Sequence, residues 1–542
     1  MHIQPVHLPR RHSLSDLYIH DFERVSALYE YPPYRQDSFD RRWQKVTRAE
    51  NRADRSALAE ALHVYNERVN RHQAVLDNIR LLERRDSVVV IGGQQAGVMT
   101  GPLYTISKAV TILQLAREQQ EKLGVPVVPV FWIAGEDHDL LEVNHVWVTG
   151  EDMRLRKVRM GQDDGFKRSI GLRPLTLSEV DTFLKAVADA HPDSHYKNTW
   201  LHKLRQLAEQ SKTWSDWFAQ IFHWFFARAG LVLFDSAAGE FKQVAAPFYA
   251  RLIEEAERLN EAVLAGTRHV EQLGFRPQVE VLPQQANLFV EENGERQLLL
   301  KQGDAYTSKG EGAHYTASQL KDLACTQPEK FSTNVVSRPL LQDYLFPTLA
   351  CVLGPGEIAY WGQYRQAFTL FGHQMPVLHP RVGFTLVERP VAKTMQSFDL
   401  SPIDAMFRLD DFREQWLRTQ EDIDVEALFS QLAEGMAQLH ETTLQPLRSV
   451  NRGVEELAAK NRERILRELE YLEGQVQKAI RLKHRAVLQQ FDRVQLSLMP
   501  HGKLQERVYN VFRYVNLYGR DWLDTLIGER LDLTHSHYMV YL

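Results

Sequence analysis

The spacing of apolar residues changes along the chain, and each change predicts a different element of secondary structure. Over residues 1–85 the apolar positions recur at helical intervals, which predicts an N-terminal helical part of the core. The clearest run is Leu58, Leu62, Tyr65, Val69 and Leu76.

Residues 86–150 predict a strand, a turn, a helix and a second strand. The β-branched run SVVVI at residues 87–91 reads as a buried strand, and VPVVPVFWI at residues 125–133 reads as the next one. Between them, Pro102 suits the first turn of a helix and Gly124 suits its end. Such a unit forms a parallel sheet with a right-handed crossover, so we expect an α/β fold.

The later segments are predicted to complete this sheet. Residues 151–330 mix helical and strand patterns and are interpreted as inserted or connecting subdomains, with a β-hairpin that turns at Asn293 and Gly294. Residues 331–395 carry glycine–proline turns and short strands, which predict the second half of the parallel-sheet core. Residues 501–542 are predicted to be a C-terminal segment that packs back on the core.

Residues 396–500 are predicted to form a helical coiled-coil region, because apolar residues recur there in alternating steps of four and three. The seam series is Ile465, Leu469, Leu472, Val476 and Ala479. An earlier series that offers an antiparallel partner is Val425, Leu428, Leu432, Met436 and Leu439. A helix stripe buried within one core is the alternative interpretation of this spacing.

The composition narrows the class of protein. The 542 residues carry a net charge of −5, so no overall positive field favours nucleic acid or anionic membranes. No apolar run reaches the roughly 18–20 residues of a membrane span, and the first residues lack the apolar core of a signal peptide. The two cysteines, Cys325 and Cys351, fit a reducing cytoplasm and are too few for a multi-cysteine zinc site.

The turn after the first strand, GGQQAGVMTG at residues 92–101, is a candidate binding site. It matches neither the G-x-x-x-x-G-K-[ST] loop nor G-x-G-x-x-G. Glycines at a strand end allow a ligand to approach the backbone, and the start of the next helix offers N–H groups to an anion. A plain strand-to-helix turn is the alternative. The candidate residues are Gly92, Gly93, Gln94, Gln95 and Gly101.

A cluster of ionisable residues follows the second predicted strand. Gly135 ends the strand, and Glu136, Asp137, His138 and Asp139 come directly after it. Because like charges repel, this composition favours a site that binds a metal ion, holds an amino or hydroxyl group, or performs acid–base chemistry. A metal would use His138, Glu142 and His145, but the HExxH spacing is missing and no structural metal is predicted. An aspartate that starts a helix is compatible with either interpretation.

A third candidate site is the tight turn in LGPGEIAYWGQY at residues 353–364. Gly354 and Gly356 form the turn, and Glu357 either lines a site or only starts the following helix. Arg381 follows a proline at an apparent strand end, where it would bind a phosphate or carboxylate through two hydrogen bonds. An internal salt bridge is the alternative role for this arginine.

The fourth candidate is MPHGKLQERVYN at residues 499–510, which gathers three cations around a glycine turn. His501, Lys503 and Arg507 would make a second contact to an anion or a nucleotide. A solvated charged loop is the alternative, since surface charges usually face only water.

Together these segments resemble one family, the bacillithiol-biosynthesis cysteine-adding enzymes of the BshC type. The resemblance rests on GGQQAGVMTGPLYTISKA, FWIAGEDHDLLEVNHV, LGPGEIAYWGQY with PRVGFTLVE, and LQERVYN, in this order. It implies a Rossmann-like core of the nucleotidylyl-transferase type with inserted subdomains. It also implies a homodimer formed through the coiled coil, a cytoplasmic location, and the addition of L-cysteine to glucosaminyl-malate to give bacillithiol.

The segment TGPLYTISKA is, more distantly, similar to the G-P-x-H-x-G-H segment of class I aminoacyl-tRNA synthetases. Aligned in this way, Tyr104 and Ser107 take the places of the two histidines that face ATP phosphates, which makes both candidate catalytic residues. This resemblance implies ATP or ADP as a bound nucleotide, with Mg²⁺ as its companion ion.

The leading hypothesis is therefore a ligase that forms an amide bond after a carboxylate has been activated. Asp137 and His138 would hold amino or hydroxyl groups of the substrate, with His138 as the candidate base, and Glu357 and Arg381 would close the opposite side. A second hypothesis is a nucleotide- or metabolite-binding dimeric scaffold of the pathway that performs no catalysis. A third, a nucleic-acid-binding protein on a synthetase-like fold, is disfavoured by the negative net charge.

Overall fold

The computed structural model describes all residues except 11, 70, 151, 164, 309–312 and 451, and all remaining side chains except those of 447, 448 and 452. The described chain divides into two compact units. The core unit comprises Met1–Thr385, Leu504–Val540 and Leu542, and the helical unit comprises Leu386–Lys503 and Tyr541.

The elements are numbered here in chain order. The strands of the described chain are β1 (His2–Pro5), β2 (Val88–Gln94), β3 (Val127–Ile133), β4 (His145–Thr149), β5 (Leu155–Arg159), β6 (Val232–Asp235), β7 (Gln285–Glu292), β8 (Glu295–Gln302), β9 (Ala305–Ser308), β10 (His314–Thr316), β11 (Phe331–Thr333), β12 (Thr348–Leu353), β13 (Val377–Pro380), β14 (Gly383–Val387) and β15 (His537–Tyr541). Its α-helices are α1 (Leu14–His20), α2 (Gln36–Arg48), α3 (Arg55–Val69), α4 (Gln73–Leu81), α5 (Tyr104–Leu123), α6 (Leu140–Val143), α7 (Leu177–Ala190), α8 (Lys197–Glu209), α9 (Trp214–Phe226), α10 (Gly239–Glu254), α11 (Ala256–Gln272), α12 (Ala317–Thr326), α13 (Ser337–Leu345), α14 (Pro355–Trp361), α15 (Arg365–Leu370), α16 (Arg389–Ser397), α17 (Pro402–Phe407), α18 (Leu409–Arg418), α19 (Val425–Leu444), α20 (Arg452–Lys483), α21 (Arg485–Leu498), α22 (Phe512–Tyr518) and α23 (Asp521–Gly528).

A five-stranded parallel sheet lies at the centre of the core unit, in the order β13-β12-β2-β3-β6. Its strands are apolar along their length because both faces are covered, and all seven residues of β3 are buried. Helix α5 crosses from β2 to β3, as the strand–turn–helix–strand pattern predicts. Strands β12 and β13 then supply the second half, so the predicted α/β parallel-sheet core is confirmed.

The helically spaced apolar run from Leu58 to Leu76 lies on two helices. Leu58, Leu62, Tyr65 and Val69 belong to α3, and Leu76 belongs to α4. The break comes at His72, whose backbone is extended and whose Nδ1 accepts a hydrogen bond from the N–H of Ala74. The His72 side chain therefore caps the start of α4, and its extended backbone separates α4 from α3.

The segments inserted between β3 and β12 form two β-structures besides their helices. Strands β4 and β5 make an antiparallel pair, and five strands make an antiparallel sheet in the order β10-β9-β8-β7-β11. The predicted hairpin is confirmed, since β7 and β8 are joined by Asn293 and Gly294 alone. Both residues have positive φ, which a two-residue turn of this kind requires.

A cluster of buried charges ties α13 to the N-terminal helices. Asp343 Oδ1 lies 2.6 Å from Arg42 Nη2, and its Oδ2 lies 2.8 Å from Arg52 Nη2. His373 Nδ1 lies 3.1 Å from the same Oδ2. The Asp343 side chain is fully buried. Inside the core unit, the Asp343 carboxylate is therefore the shared ionic partner of two guanidinium groups.

The helical unit contains the predicted coiled-coil series. Helices α19 and α20 form an antiparallel hairpin and are in contact, with His440 Nε2 lying 3.2 Å from Asn461 Oδ1. None of the described side chains of α20 is buried. The seam is therefore not a stripe inside the core of this chain, which was the alternative interpretation. Across the described residues, no helix combines the length and the apolar character that a membrane span requires.

Candidate active site

A cleft of about 690 Å³ opens on the core unit at the carboxyl ends of the parallel strands. The chain proceeds from β2 to β3 and β6 on one side, then returns to β12 and β13 on the other. The strand order therefore reverses between β2 and β12, and open α/β sheets bind ligands in the crevice at such a reversal. The lining of the cleft includes residues that follow both of these strands.

The cleft brings together most of the residues that the sequence singles out. These are Gly93, Gln94, Gln95, Tyr104, Glu136, Asp137, His138, Gly354, Gly356, Glu357, Arg381 and Arg507. Gly92, Gly101, Gly135 and Ser107 are not among the lining residues. His501 and Lys503 belong to the helical unit.

The first two glycines of the predicted turn belong to strand β2 and are needed for its packing against neighbouring strands. A Cβ atom on Gly92 would lie 2.8 Å from the carbonyl oxygen of Val352 in β12. One on Gly93 would lie 2.7 Å from the carbonyl oxygen of Trp132 in β3. These glycines therefore allow β2 to fit between its neighbours, and only Gly93 also lines the cleft.

The start of α5, which the sequence suggests as an anion site, is covered by the C-terminal segment. The N–H of Leu103 donates to the carbonyl oxygen of Tyr509 at 2.8 Å. Asn510 Nδ2 donates to the carbonyl oxygens of Met99 and Gly101, at 2.7 and 2.6 Å. Only a pocket of about 50 Å³ remains beside Gly101. Nucleotide phosphates would therefore have to lie in the cleft rather than at this helix start.

Of the two residues aligned with synthetase histidines, Tyr104 faces the cleft and Ser107 does not. Burial raises the pKa of Tyr104, so its hydroxyl stays protonated and is able to donate a hydrogen bond. Ser107 is buried, and its hydroxyl donates to the carbonyl oxygen of Leu103 at 3.2 Å. The Ser107 hydroxyl also lies 3.4 Å from Glu506 Oε2, and both residues are buried.

Gln95 connects the glycine-rich turn to the charged loop after β3. Its Nε2 donates to Asp137 Oδ2 and to Glu142 Oε2, both at 2.7 Å. Asp137 Oδ1 accepts the backbone N–H of His138 at 2.7 Å. The amide of Gln95 thus holds two carboxylates on the β3 side of the cleft, where they favour a cationic or hydrogen-bond-donating group.

Glu136 also borders the cleft, but both of its oxygens are engaged within the protein. Oε1 lies 2.6 Å from the ammonium of Lys242, and Oε2 accepts the N–H and the hydroxyl of Thr333 at 3.0 and 3.1 Å. The ion pair is nearly fully buried. Glu136 therefore joins the loop after β3 to α10 and to the segment of β11.

Lys108 is a site residue that sequence reasoning missed. Its Nζ donates to the carbonyl oxygen of Gly93 at 2.7 Å and to Glu357 Oε2 at 2.6 Å. The same Oε2 accepts the N–H of Gly354 at 2.7 Å. Burial lowers the pKa of Lys108, and the Glu357 carboxylate opposes that shift. The pair bridges the ends of β2 and β12, where the strand order reverses.

Sequence reasoning also missed two arginines of the cleft. Arg338 lies 3.3 Å from Gln342 Oε1 and 3.5 Å from the hydroxyl of Tyr360. Among the described residues, no carboxylate lies within 4.0 Å of its guanidinium. Arg296 enters from β8 and contacts His138, with 3.3 Å between its Nη1 and the ring Nδ1.

Arg381 already has a carboxylate partner. Its Nη1 and Nη2 lie 2.6 and 2.7 Å from the two oxygens of Glu506, and both side chains are almost fully buried. The internal salt bridge that the sequence offers as an alternative is therefore present. Arg507 is exposed at the edge of the cleft. The cleft thus combines the guanidinium groups of Arg296, Arg338 and Arg507 with the carboxylates of Asp137 and Glu142.

The described residues contain no group of three or more His, Cys, Asp or Glu side chains arranged to hold a metal ion. His145, one of the residues considered as a metal ligand, has its Nδ1 3.1 Å from the carbonyl oxygen of Leu141. Cys325 and Cys351 are both free thiols, the first exposed and the second buried.

Comparison with known proteins identifies the family. A model described as the N-terminal Rossmann-like domain of bacillithiol biosynthesis BshC matches residues 1–382, and one for its C-terminal coiled-coil domain matches residues 384–542. Relatives from Symbiobacterium thermophilum and Geobacillus thermodenitrificans, both named "Putative cysteine ligase BshC", are 38% and 37% identical. The first alignment covers 97% of each chain and the second covers 100% of each.

A solved structure from Campylobacter jejuni, named "putative arginyl t-RNA synthetase", is 11% identical and aligns over 90% of this chain and 96% of its own. Its TM-score is 0.19. The two domain models and the full-length relatives are sufficient: the chain belongs to the bacillithiol-biosynthesis BshC family.

Proposed function

We propose that the protein is a ligase that joins L-cysteine to glucosaminyl-malate through an amide bond and so forms bacillithiol. The observation that carries the proposal is the full-length family match, combined with a polar cleft at the reversal of strand order. We place the protein in the cytoplasm, where thiols stay reduced.

The reaction joins the carboxyl carbon of cysteine to the amino nitrogen of the sugar. A carboxylate is a poor acylating group, and ATP, with its Mg²⁺, would supply activation by converting one carboxylate oxygen into a leaving group. The cations of the cleft, Lys108, Arg338 and Arg507, would balance the negative charge of phosphates and carboxylates. Asp137 and Glu142 would attract the amine on the β3 side.

Charged groups of the cleft would also orient the acceptor. Glucosaminyl-malate carries two carboxylates at one end and an amine at the sugar. We propose that Arg338 binds the malyl carboxylates, because its fork of donors faces the cleft with no carboxylate of the described chain within 4.0 Å. The amine then points toward Asp137.

Replacing Arg338 with Gln tests this orientation. We expect the KM for glucosaminyl-malate to rise about 10- to 100-fold, since a hydrogen bond to a charged group contributes about 1.5–3 kcal/mol. The KM for cysteine should change little. The measurement is steady-state kinetics with each substrate varied in turn.

Arg365→Gln is the matched control, since Arg365 pairs with Glu30 and is not among the residues that line the cleft. Equal KM values for glucosaminyl-malate in the Arg338 variant and the wild type would remove Arg338 from the acceptor site.

The homodimer is likewise a proposal, and it is supported by apolar side chains of the helical unit that are exposed to solvent. On α19 and α20 they include Leu428, Leu432, Leu439, Leu457, Tyr471, Leu472 and Leu482. Leu472, a residue of the predicted seam, is 50% exposed. Exposed apolar stripes of this kind are typical of protein–protein interfaces.

Replacing Leu472 with Glu should convert the dimer to monomer, because a charge would be buried in the interface. Sedimentation equilibrium measures the change. Gln477→Glu on the same helix adds the same charge on another face and should leave the dimer intact. A monomeric wild type, or a dimer that withstands the Leu472 substitution, would contradict the proposed interface.

The test of the proposed function is direct. Purified protein is incubated with ATP, Mg²⁺, cysteine and glucosaminyl-malate, and bacillithiol is measured by mass spectrometry together with AMP and ADP. We expect product in proportion to enzyme. Substrate binding by calorimetry without any turnover would instead support the pathway scaffold.

A further inference from the structure

Arg296 is held rigidly at the wall of the cleft. Its Nε donates to Ser332 Oγ at 2.8 Å, its Nη2 donates to the carbonyl oxygen of Thr333, and its guanidinium carbon lies 3.8 Å from the centre of the Phe289 ring. Among the described residues, no carboxylate lies within 4.0 Å of it. An arginine fixed in this way without a carboxylate partner has its remaining N–H donors in defined directions.

One of these donors, on Nη1, is directed at the Nδ1 atom of His138, 3.3 Å away. Arginine has donors only and keeps its proton in proteins, so Nδ1 must be the acceptor of this hydrogen bond. An imidazole that accepts at Nδ1 is neutral and carries its proton on Nε2. His138 lines the cleft, and the described residues provide no hydrogen-bond acceptor for its Nε2.

The other charges around the ring are of both signs. Asp137 Oδ1 lies 3.9 Å from Nδ1, and Asp139 and Lys167 contribute at longer range. Burial lowers the pKa of His138, and Arg296 and Lys167 lower it further, against the opposite effect of the two aspartates. At neutral pH the ring therefore has little tendency to gain a second proton.

We infer that Arg296 is a positioning residue that fixes His138 as a neutral hydrogen-bond donor, with Nε2–H directed into the cleft. The inference rests on the proposed ligase function for its ligand: the donor would hold an oxygen atom, either a sugar hydroxyl or the carbonyl oxygen that gains negative charge during amide formation. The donor role replaces the predicted role of His138 as general base. Nδ1 is the only ring nitrogen with a lone pair to accept a proton, and it already accepts a hydrogen bond from Arg296.

This assignment leaves Asp137 to receive the proton of the attacking amine. As the nitrogen–carbon bond forms, the bond from carbon to the activated oxygen breaks, and the nitrogen loses one proton. The Asp137 carboxylate lies on the same loop and, with its other hydrogen bonds intact, keeps lone pairs for that proton.

Nitrogen NMR of the full-length protein labelled with ¹⁵N-histidine tests the inference without any turnover. The His138 signals are identified as those missing in His138→Gln. We expect a protonated Nε2 and an unprotonated Nδ1 across neutral pH, with titration only below the ordinary histidine pKa. In Arg296→Met we expect the pKa to rise and the two tautomers to mix.

The matched control is Lys301→Met, on the same strand but an odd number of residues away, so that its side chain points to the opposite face. It should leave the His138 signals unchanged. A protonated Nδ1 in the wild type, a charged ring at pH 7, or signals that do not respond to the loss of Arg296 would each overturn the inference.

Kinetics separate a donor from a base. The amide of His138→Gln is able to donate from nearly the same place, so we expect kcat within about tenfold of the wild type, whereas His138→Ala should lose about 10²-fold or more. Equal losses in both variants would overturn the donor role. If the protein forms no bacillithiol but the NMR result holds, the proposed function fails while the Arg296–His138 assignment stands.

Discussion

Replacing Asp343 with Asn is expected to lower the free energy of unfolding of the core unit by about 3–5 kcal/mol. The substitution keeps the shape of the side chain but removes its charge. Arg42 and Arg52, whose side chains are 1% and 9% exposed, would then remain buried without a carboxylate. Denaturation in urea, followed by tryptophan fluorescence, measures the difference.

The control is Asp37→Asn on α2, which also removes a carboxylate that pairs with an arginine. Asp37 pairs with Arg41 of the same helix at 3.4 Å, but both side chains are more than half exposed. Exposed pairs contribute only about 0–1 kcal/mol, so this variant should unfold at nearly the wild-type urea concentration. Similar losses in the two variants would show that burial does not decide the effect.

The Asp343 effect should also depend on pH. Burial alone would raise the pKa of this carboxyl, but Arg42 and Arg52 hold it well below its usual range. A carboxyl whose pKa is depressed by folding stabilises the protein fully above its unfolded pKa, near 3.9. The gap between wild type and Asp343→Asn should therefore narrow as the pH falls below about 4.

The sequence pattern was sufficient for the local architecture. Apolar runs predict β2 and β3, Pro102 and Gly124 frame the crossover helix, and the Asn293–Gly294 pair predicts the hairpin, because each signal depends on neighbouring residues. The strand order was not accessible in this way. That β12 pairs with β2 depends on contacts across some 250 residues of chain, and this pairing creates the reversal at which the cleft lies.

The candidate site was predictable to the extent that its residues fall in strand-end motifs. Gln95, Asp137 and Glu357 follow three different strands, and the structure brings all three to one cleft. Arg296 and Arg338 had no such signal, since they come from an inserted hairpin and from α13. Their relevance depends on what lies opposite them in space, such as His138, 158 residues away in sequence.

Lys108 did have a signal in the sequence. It stands within YTISKAVTIL, a helical stretch in which all the remaining residues are uncharged. A lysine in such surroundings is almost never buried without a partner, so it indicates a paired ammonium group. The structure supplies that partner in Glu357, which the sequence singles out for its place at the helix start.

Replacing Lys108 with Met is accordingly expected to reduce kcat/KM for bacillithiol formation by about 10²- to 10³-fold, the loss that follows removal of one fixed electrostatic contact in an active site. Methionine retains the apolar stem and removes the charge between β2 and β12. Glu357 would lose its cation, and the carbonyl oxygen of Gly93 would lose its donor. Steady-state kinetics and urea denaturation of the same preparation measure both consequences.

A double-mutant cycle with Glu357→Gln distinguishes a structural pair from a functional one. Because Lys108 is almost fully buried and Glu357 is 26% exposed, removing both charges should recover part of the stability that either single change costs. Activity should not recover together with stability, because the cleft still lacks the positive charge of Lys108. Lys122→Met, on the exposed face of the same helix where it pairs with Glu118, should match the wild type in both measurements. If Lys108→Met/Glu357→Gln regains activity together with stability, Lys108 acts only by holding the two strand ends together.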